Sequence, residues 1–105
     1  MERPNFSYLS SFSGGDKVFE EKILNVIKTE YPNERDTYLN NIEANNFDLA
    51  ANNVHKIRHK ISLLGLEKSH ELASQHELNL IKGHNTLHEN FTDILNTMSR
   101  FLDEL

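Results

Sequence analysis

From Phe47 to Leu64 the apolar residues Phe47, Ala50, Val54, Ile57, Ile61 and Leu64 stand alternately three and four apart. A strand cannot use that interval, because its side chains change face at every residue. An α-helix, turning about 100° per residue, puts all six on one narrow strip. Such a strip has to be buried against other helices. The same demand recurs in "KVFEEKILNVIKTEY", with Phe19, Ile23, Val26 and Ile27, and near the C-terminus, with Leu87, Phe91, Ile94, Leu95, Met98, Phe101 and Leu102. Four glycines, two prolines and no alternating apolar run of strand length complete the case for an all-α chain.

Local signals divide these stripes into helices. Ser13, with Asp16 three residues on, reads as a capping-box-like start of the first long helix, with the acid at its positive end. Pro32 removes a backbone donor and restricts its predecessor, so a kink or short break is expected near Tyr31 before "ERDTYLNNIEA" resumes the pattern. Asn46 reads as the N-cap of a helix that begins at Phe47, and Gly65 as its stop. A further helix is expected from about Leu66 to Ile81, ending at Lys82 and Gly83, and a last one from about Thr86 to Leu102. Phe6, Tyr8, Leu9 and Phe12 suit a short helix laid across one end. Short connections make antiparallel neighbours, so the expected architecture is an antiparallel up-and-down four-helix bundle with a short N-terminal covering helix, one domain over residues 1–105.

Composition then narrows the functions. A formal net charge of −5 withholds the broad basic surface that nucleic-acid binding needs. The absence of cysteine removes disulfides, thiolate chemistry and Cys-type zinc sites. No run approaches the roughly 18 apolar residues of a membrane span. "MERPNFSYLSS" lacks the apolar core of a secretory signal, so a cytoplasmic, monomeric protein is expected. Neither a Walker-type nor a kinase glycine loop is present, which argues against an autonomous nucleotide-dependent enzyme.

Against this acidic background, "NNVHKIRHKISLLGL" (52–66) carries two histidines and three cations, with no acidic residue between Asp48 and Glu67. On a helix, His55, Arg58, His59 and Ser62 share a strip away from the apolar seam. A histidine in solvent at mid-helix is poorly explained as packing. Nearby positive charge from Lys56, Arg58 and Lys60 favours the neutral, nucleophilic ring, and the same cations would stabilise a phosphoryl group. The pattern is that of a nucleophile beside an anion-binding patch. Other readings stand beside it: a plain solvated face, a helical interaction module, or a metal site. "HKIRH" and "HNTLH" both space histidines four apart, about 6 Å along a helix, as zinc pairs do. Neither contains the glutamate of a zinc-protease helix, and cations ring the first, so no metal ligand is assigned. His70, His84 and His88 read as surface residues and His76 as a satisfied histidine at the core edge.

These residues resemble the histidine-containing phosphotransfer (HPt) domains of multistep phosphorelays. In that motif an apolar or alanine position precedes the active histidine, a basic residue follows three on, a glycine four on and another glycine ten on. Here Val54 precedes His55, Ile57 holds the apolar position, Arg58 stands where lysine is usual and Gly65 lies at the tenth place. "SGGDKVFEEKIL" resembles the opening of the family's first long helix, and "LEKSHELASQHE", with Leu72, Ala73 and Glu77, the segment after the motif. His59 occupies the usual glycine position, and Ser69 and His76 take positions where the family usually buries leucine, which predicts a locally hydrogen-bonded patch. Counting from His59 would put Ser69 at the later glycine and Ser62 at the basic residue, so the register favours His55.

The resemblance implies that His55 accepts a phosphoryl group on Nε2 from a receiver-domain aspartyl phosphate and passes it to another receiver aspartate. Arg58, with Lys56 and Lys60, would offset its charge, and His59, Ser62 and Gly65 would shape the partner-binding surface. The partners implied are receiver domains of a hybrid histidine kinase or a response regulator. They would supply the Mg²⁺, and the chain itself would need no cofactor.

Overall fold

Five α-helices and no strand make up the described residues, 2–105, of the computed structural model: α1 (Ser7–Ser13), α2 (Lys17–Glu43), α3 (Phe47–Leu63), α4 (Glu67–Ile81) and α5 (His88–Asp103). The cap of α2 is Asp16, whose carboxylate accepts the Phe19 N–H at 3.1 Å. Ser13 instead closes α1; its hydroxyl donates to the Ser10 carbonyl and accepts the Gly15 N–H. Asn46 does hold the N-cap position of α3, but its side chain makes no capping bond.

The break expected near Tyr31 is absent. Helix α2 runs through Pro32 without interruption. Pro32 and its neighbours Lys28, Thr29 and Asn33 are exposed, so the carbonyl deprived of a donor lies on the water-facing side of the helix. On the flank that turns toward α5, Tyr31 donates to the Leu95 carbonyl at 2.7 Å, and Arg35 donates to Ser99 Oγ at 3.1 Å. These tertiary bonds hold both sides of the proline against α5.

The connections share one device. After α2, α3 and α4 a residue in the left-handed region turns the chain (Asn45, Gly65 and Gly83), and the next N–H reaches back five residues: Asn46 to Asn41, Leu66 to Ile61 and His84 to Asn79. Consecutive helices therefore fold back on one another. Asn41 bonds Asn53 while Lys60 meets Glu30 and Glu34, and His55 meets Glu77 while Arg58 meets Ser74, so α2 and α4 both run opposite to α3. Helix α5 returns along α2, with Tyr31 level with Leu95 and Tyr38 with His88.

The seam of α3 is buried as its spacing requires: Ala50, Val54, Ile57, Ile61 and Leu64 are fully buried, with Phe47 packed at the edge. On α2 the buried line is Glu20, Ile27, Tyr31 and Tyr38; Val26, expected inside, is half exposed. A long helix that turns inward through two tyrosines leaves Val26 off the line. Leu9 is the buried residue of α1, helped by the Ser10 hydroxyl donating to Glu20 at 2.9 Å, while Tyr8 and Phe12 stay exposed. The N-terminal segment straps the α3–α4 turn: the Asn5 N–H bonds the Leu64 carbonyl, and the Glu2 carboxylate accepts the N–H groups of Lys68 and Ser69 at 2.8 Å each. Burial works against that carboxylate's charge, but the two N–H bonds outweigh it and hold the Glu2 pKa below the usual carboxylate value.

Inside the fold a polar triad joins three helices. The Tyr38 hydroxyl lies 2.7 Å from His76 Nε2 and 2.8 Å from His88 Nδ1. It can donate to one imidazole and accept from the other. His76 is fully buried between helices rather than at the core edge, and it is only half satisfied: Nε2 is bonded, but Nδ1 has no partner. His88, read from sequence as a surface residue, is instead the first residue of α5 and part of this triad.

Candidate functional site

The strip on α3 opposite the seam carries His55, whose side chain is 49% exposed in mid-helix. The local basic island does not stay purely basic. Glu77 of α4 places Oε2 at 3.3 Å from His55 Nδ1 and Oε1 at 3.5 Å from Arg58 Nη1, its side chain only 18% exposed. A carboxylate accepts, so Nδ1 donates in this contact; in the neutral ring Nε2 then carries the lone pair. Among the described residues nothing bonds Nε2. Arg58 Nη2, 3.5 Å from the same Nδ1, stands beside the ring as a charge.

Arg58 lies across α4 rather than reaching freely into solvent. Its Nη1 donates to Ser74 Oγ at 3.2 Å, and Ser74 is itself tied to the His70 carbonyl. Two atoms of this cluster, Arg58 Nε and Glu77 Oε1, are shielded from water and have no hydrogen-bond partner. His59, one turn past His55, sets its ring edge to face against it, with centroids 5.0 Å apart and planes at 88°. Neither ring nitrogen of His59 bonds to a described residue. His70 approaches from α4; burial, and then the charges of Arg58 and His59, push its pKa below the usual value. Ser62 and Gly65 continue the strip and line a hollow of about 320 Å³ with Tyr8, Glu67, His70 and Glu71.

Two residues assigned to the acceptor from sequence stand elsewhere. Lys60 is buried against α2, with Nζ at 3.1 Å from Glu30 and 3.0 Å from Glu34. Lys56 is exposed and lines a polar groove with Glu30, Asn33 and Glu34 of α2. The reason is helical geometry: one and five residues past His55 correspond to rotations of about 100° and 140°, whereas Arg58, His59 and Ser62 fall within about 60°. Neighbours in sequence are not neighbours on a helix.

Glu77 is the site residue that a local reading leaves without a role. Its signal lies in the hairpin. His55 is ten residues before Gly65 and Glu77 twelve after it, so a tight turn at Gly65 brings the two level. The second histidine pair fails as a helical pair, because His84 sits in the α4–α5 connection and only His88 is helical. Among the described residues no three His, Asp or Glu side chains converge to hold a metal ion, and no helix is long and apolar enough to cross a membrane. Comparison with family models, curated proteins and solved structures returns no match.

Proposed function

We propose that the chain is an HPt-type phosphorelay intermediate, with α2–α5 forming an antiparallel four-helix bundle and α1 covering one end. The observation that carries this reading is the state of His55: a half-exposed ring whose Nδ1 is held by Glu77 from the neighbouring helix, leaving Nε2 unbonded. A ring with one nitrogen fixed by a carboxylate is held in one orientation, with the other nitrogen turned outward. Structural histidines have no need of that arrangement on a solvated strip.

In the proposed step, Nε2 attacks the phosphorus of a receiver's aspartyl phosphate. The P–O bond breaks, the aspartate carboxylate is restored and the P–Nε2 bond forms. The ring, now bonded at both nitrogens, carries a positive charge that Glu77 offsets through Nδ1–H. Arg58, close to Nδ1 and with an unpartnered Nε, supplies positive charge toward the phosphoryl oxygens. Onward transfer to a second receiver aspartate reverses these bonds. Such a relay acts by positioning and charge, with Mg²⁺ held by the receiver, and requires no nucleotide, cofactor or kinase activity of the chain itself. The reading includes a monomer working in the cytoplasm. Lys56 and Lys60 have no part in it, since both engage the α2 side.

The test is incubation with a phosphorylated receiver domain and Mg²⁺, followed by phosphorus NMR and intact mass at non-acidic pH. The parent and His59→Ala are expected to gain an acid-labile phosphate, and His55→Ala none. Acceptance by His55→Ala together with loss in His59→Ala would transfer the role to His59. A parent that takes phosphate from none of several receivers would leave the helices as an interaction module.

A further inference from the structure

The strip holds one imidazole that neither the fold nor the transfer step uses. His59 is exposed, packs edge to face on the acceptor ring at 5.0 Å and has no hydrogen-bond partner among the described residues. A side chain needed only for solubility would not have to be an imidazole lying against the acceptor. We infer that His59 is a proton-dependent positioning residue for His55: neutral, it restrains the ring; protonated, it adds a second cation to Arg58 beside the bound phosphoryl group and prolongs that group's stay. The inference rests on His55 being the acceptor.

Imidazole is the side chain whose charge changes between about pH 5 and 8. Of the titratable groups around His59, the His55 ring packs against it at 5.0 Å, His70 interacts with it from α4, and Arg58 is its neighbour in the chain. A dianionic phosphoryl group on His55 would bring about two negative charges next to the His59 ring and so favour its protonated form. Coupling of this kind is reciprocal: the phosphoryl group favours the proton on His59 by the factor with which that proton favours the phosphoryl group.

The direction follows from the loss reaction. Water attacks phosphorus, the P–Nε2 bond breaks, phosphate leaves and the bonding pair stays on Nε2. That departure is eased when Nδ1 carries a proton and the ring leaves neutral. A cationic His59 opposes protonation of the phosphorylated ring and holds the dianion in place. Both effects slow the loss.

The experiment uses the whole chain and phosphoramidate as a small phosphoryl donor; its P–N bond breaks as P–Nε2 forms, and ammonia leaves. After removal of the donor, phosphorus NMR follows the decay of phosphate from the parent, His59→Gln and His59→Gly between pH 5.5 and 8. Peptide mass mapping confirms His55 as the carrier. The parent is expected to lose phosphate about threefold more slowly than either variant at pH 6, a factor typical of one exposed charge pair, and at the same rate at pH 8. Parallel pH profiles for parent and variants, whatever their absolute rates, would overturn the inference and leave His55 as acceptor. Phosphate on His59, or none on any chain, would remove the inference together with the proposed function.

Discussion

At the scale of the residue, the proposed transfer would depend on Glu77. Its two oxygens meet two different side chains of α3, one at His55 Nδ1 and one at Arg58, so a single carboxylate orients both the His55 ring and the cation beside it. Glu77→Ala is expected to slow phosphoryl acceptance from a phosphorylated receiver roughly tenfold, the order by which losing a ring-orienting partner weakens a histidine's function. Glu77→Gln should fall between, because its amide oxygen still accepts from Nδ1–H while its charge is gone. Thermal melts of both variants should stay near the parent's, since Arg58 keeps its bond to Ser74. Stopped-flow rates for Glu77→Ala equal to the parent's would show that His55 needs no partner. Within α3, His55 and its strip were readable from spacing alone. Glu77 was not, because its role depends on how α4 lies against α3.

At the scale of the element, the α3–α4 turn places that strip. Gly65 has φ +74°, and a Cβ there would stand 2.5 Å from Asn5 Oδ1. Asn5 has little freedom to yield, since its N–H bonds the Leu64 carbonyl and its Oδ1 accepts the Ser7 N–H. Gly83, at φ +87°, has nothing within 4 Å of its added Cβ. Gly65→Ala is therefore expected to cost about 2 kcal/mol, against about 1 kcal/mol for Gly83→Ala, where only the left-handed backbone resists a side chain. Urea unfolding of the two variants checks this, and equal losses would mean that Asn5 moves aside freely. Gly65 could be read from sequence as a helix stop. The strap it admits could not, because Asn5 and Gly65 are sixty residues apart. Pro32 teaches the converse: a local breaker is overridden where Tyr31 and Arg35, on either side of it in the chain, bind α5.

At the scale of the whole molecule, the triad of Tyr38, His76 and His88 ties α2, α4 and α5 together and makes the fold sensitive to acid. Burial, and then the charge of His88, push the His76 pKa down to about 4 from 6.5. Between those values the unfolded chain binds a proton that the folded chain refuses, so this contribution to stability is complete above pH 6.5 and is lost as pH falls toward 4. The loss amounts to about 3 kcal/mol. Tm should accordingly fall by more than about 10 °C between pH 7 and pH 4. His76→Leu, which keeps the bond from Tyr38 to His88, should flatten that part of the profile. An unchanged pH slope in His76→Leu would assign the acid sensitivity to carboxylates such as Glu2 instead.

The sequence by itself determined the helical class, most of the helix ends and the apolar seam of α3, because intervals of three and four and left-handed turns act within a few residues of one another. It also determined which strip of α3 His55, Arg58, His59 and Ser62 share, since one helix period settles that. Only the tertiary structure decided what surrounds the strip. It turned Lys56 and Lys60 toward the acids of α2, brought Glu77 and His70 in from α4, drew His88 into a partly buried triad and kept α2 whole through Pro32. Each of these depends on groups that meet only after helices far apart in sequence have packed, and helix packing is set by buried surface over the whole chain rather than by any local pattern.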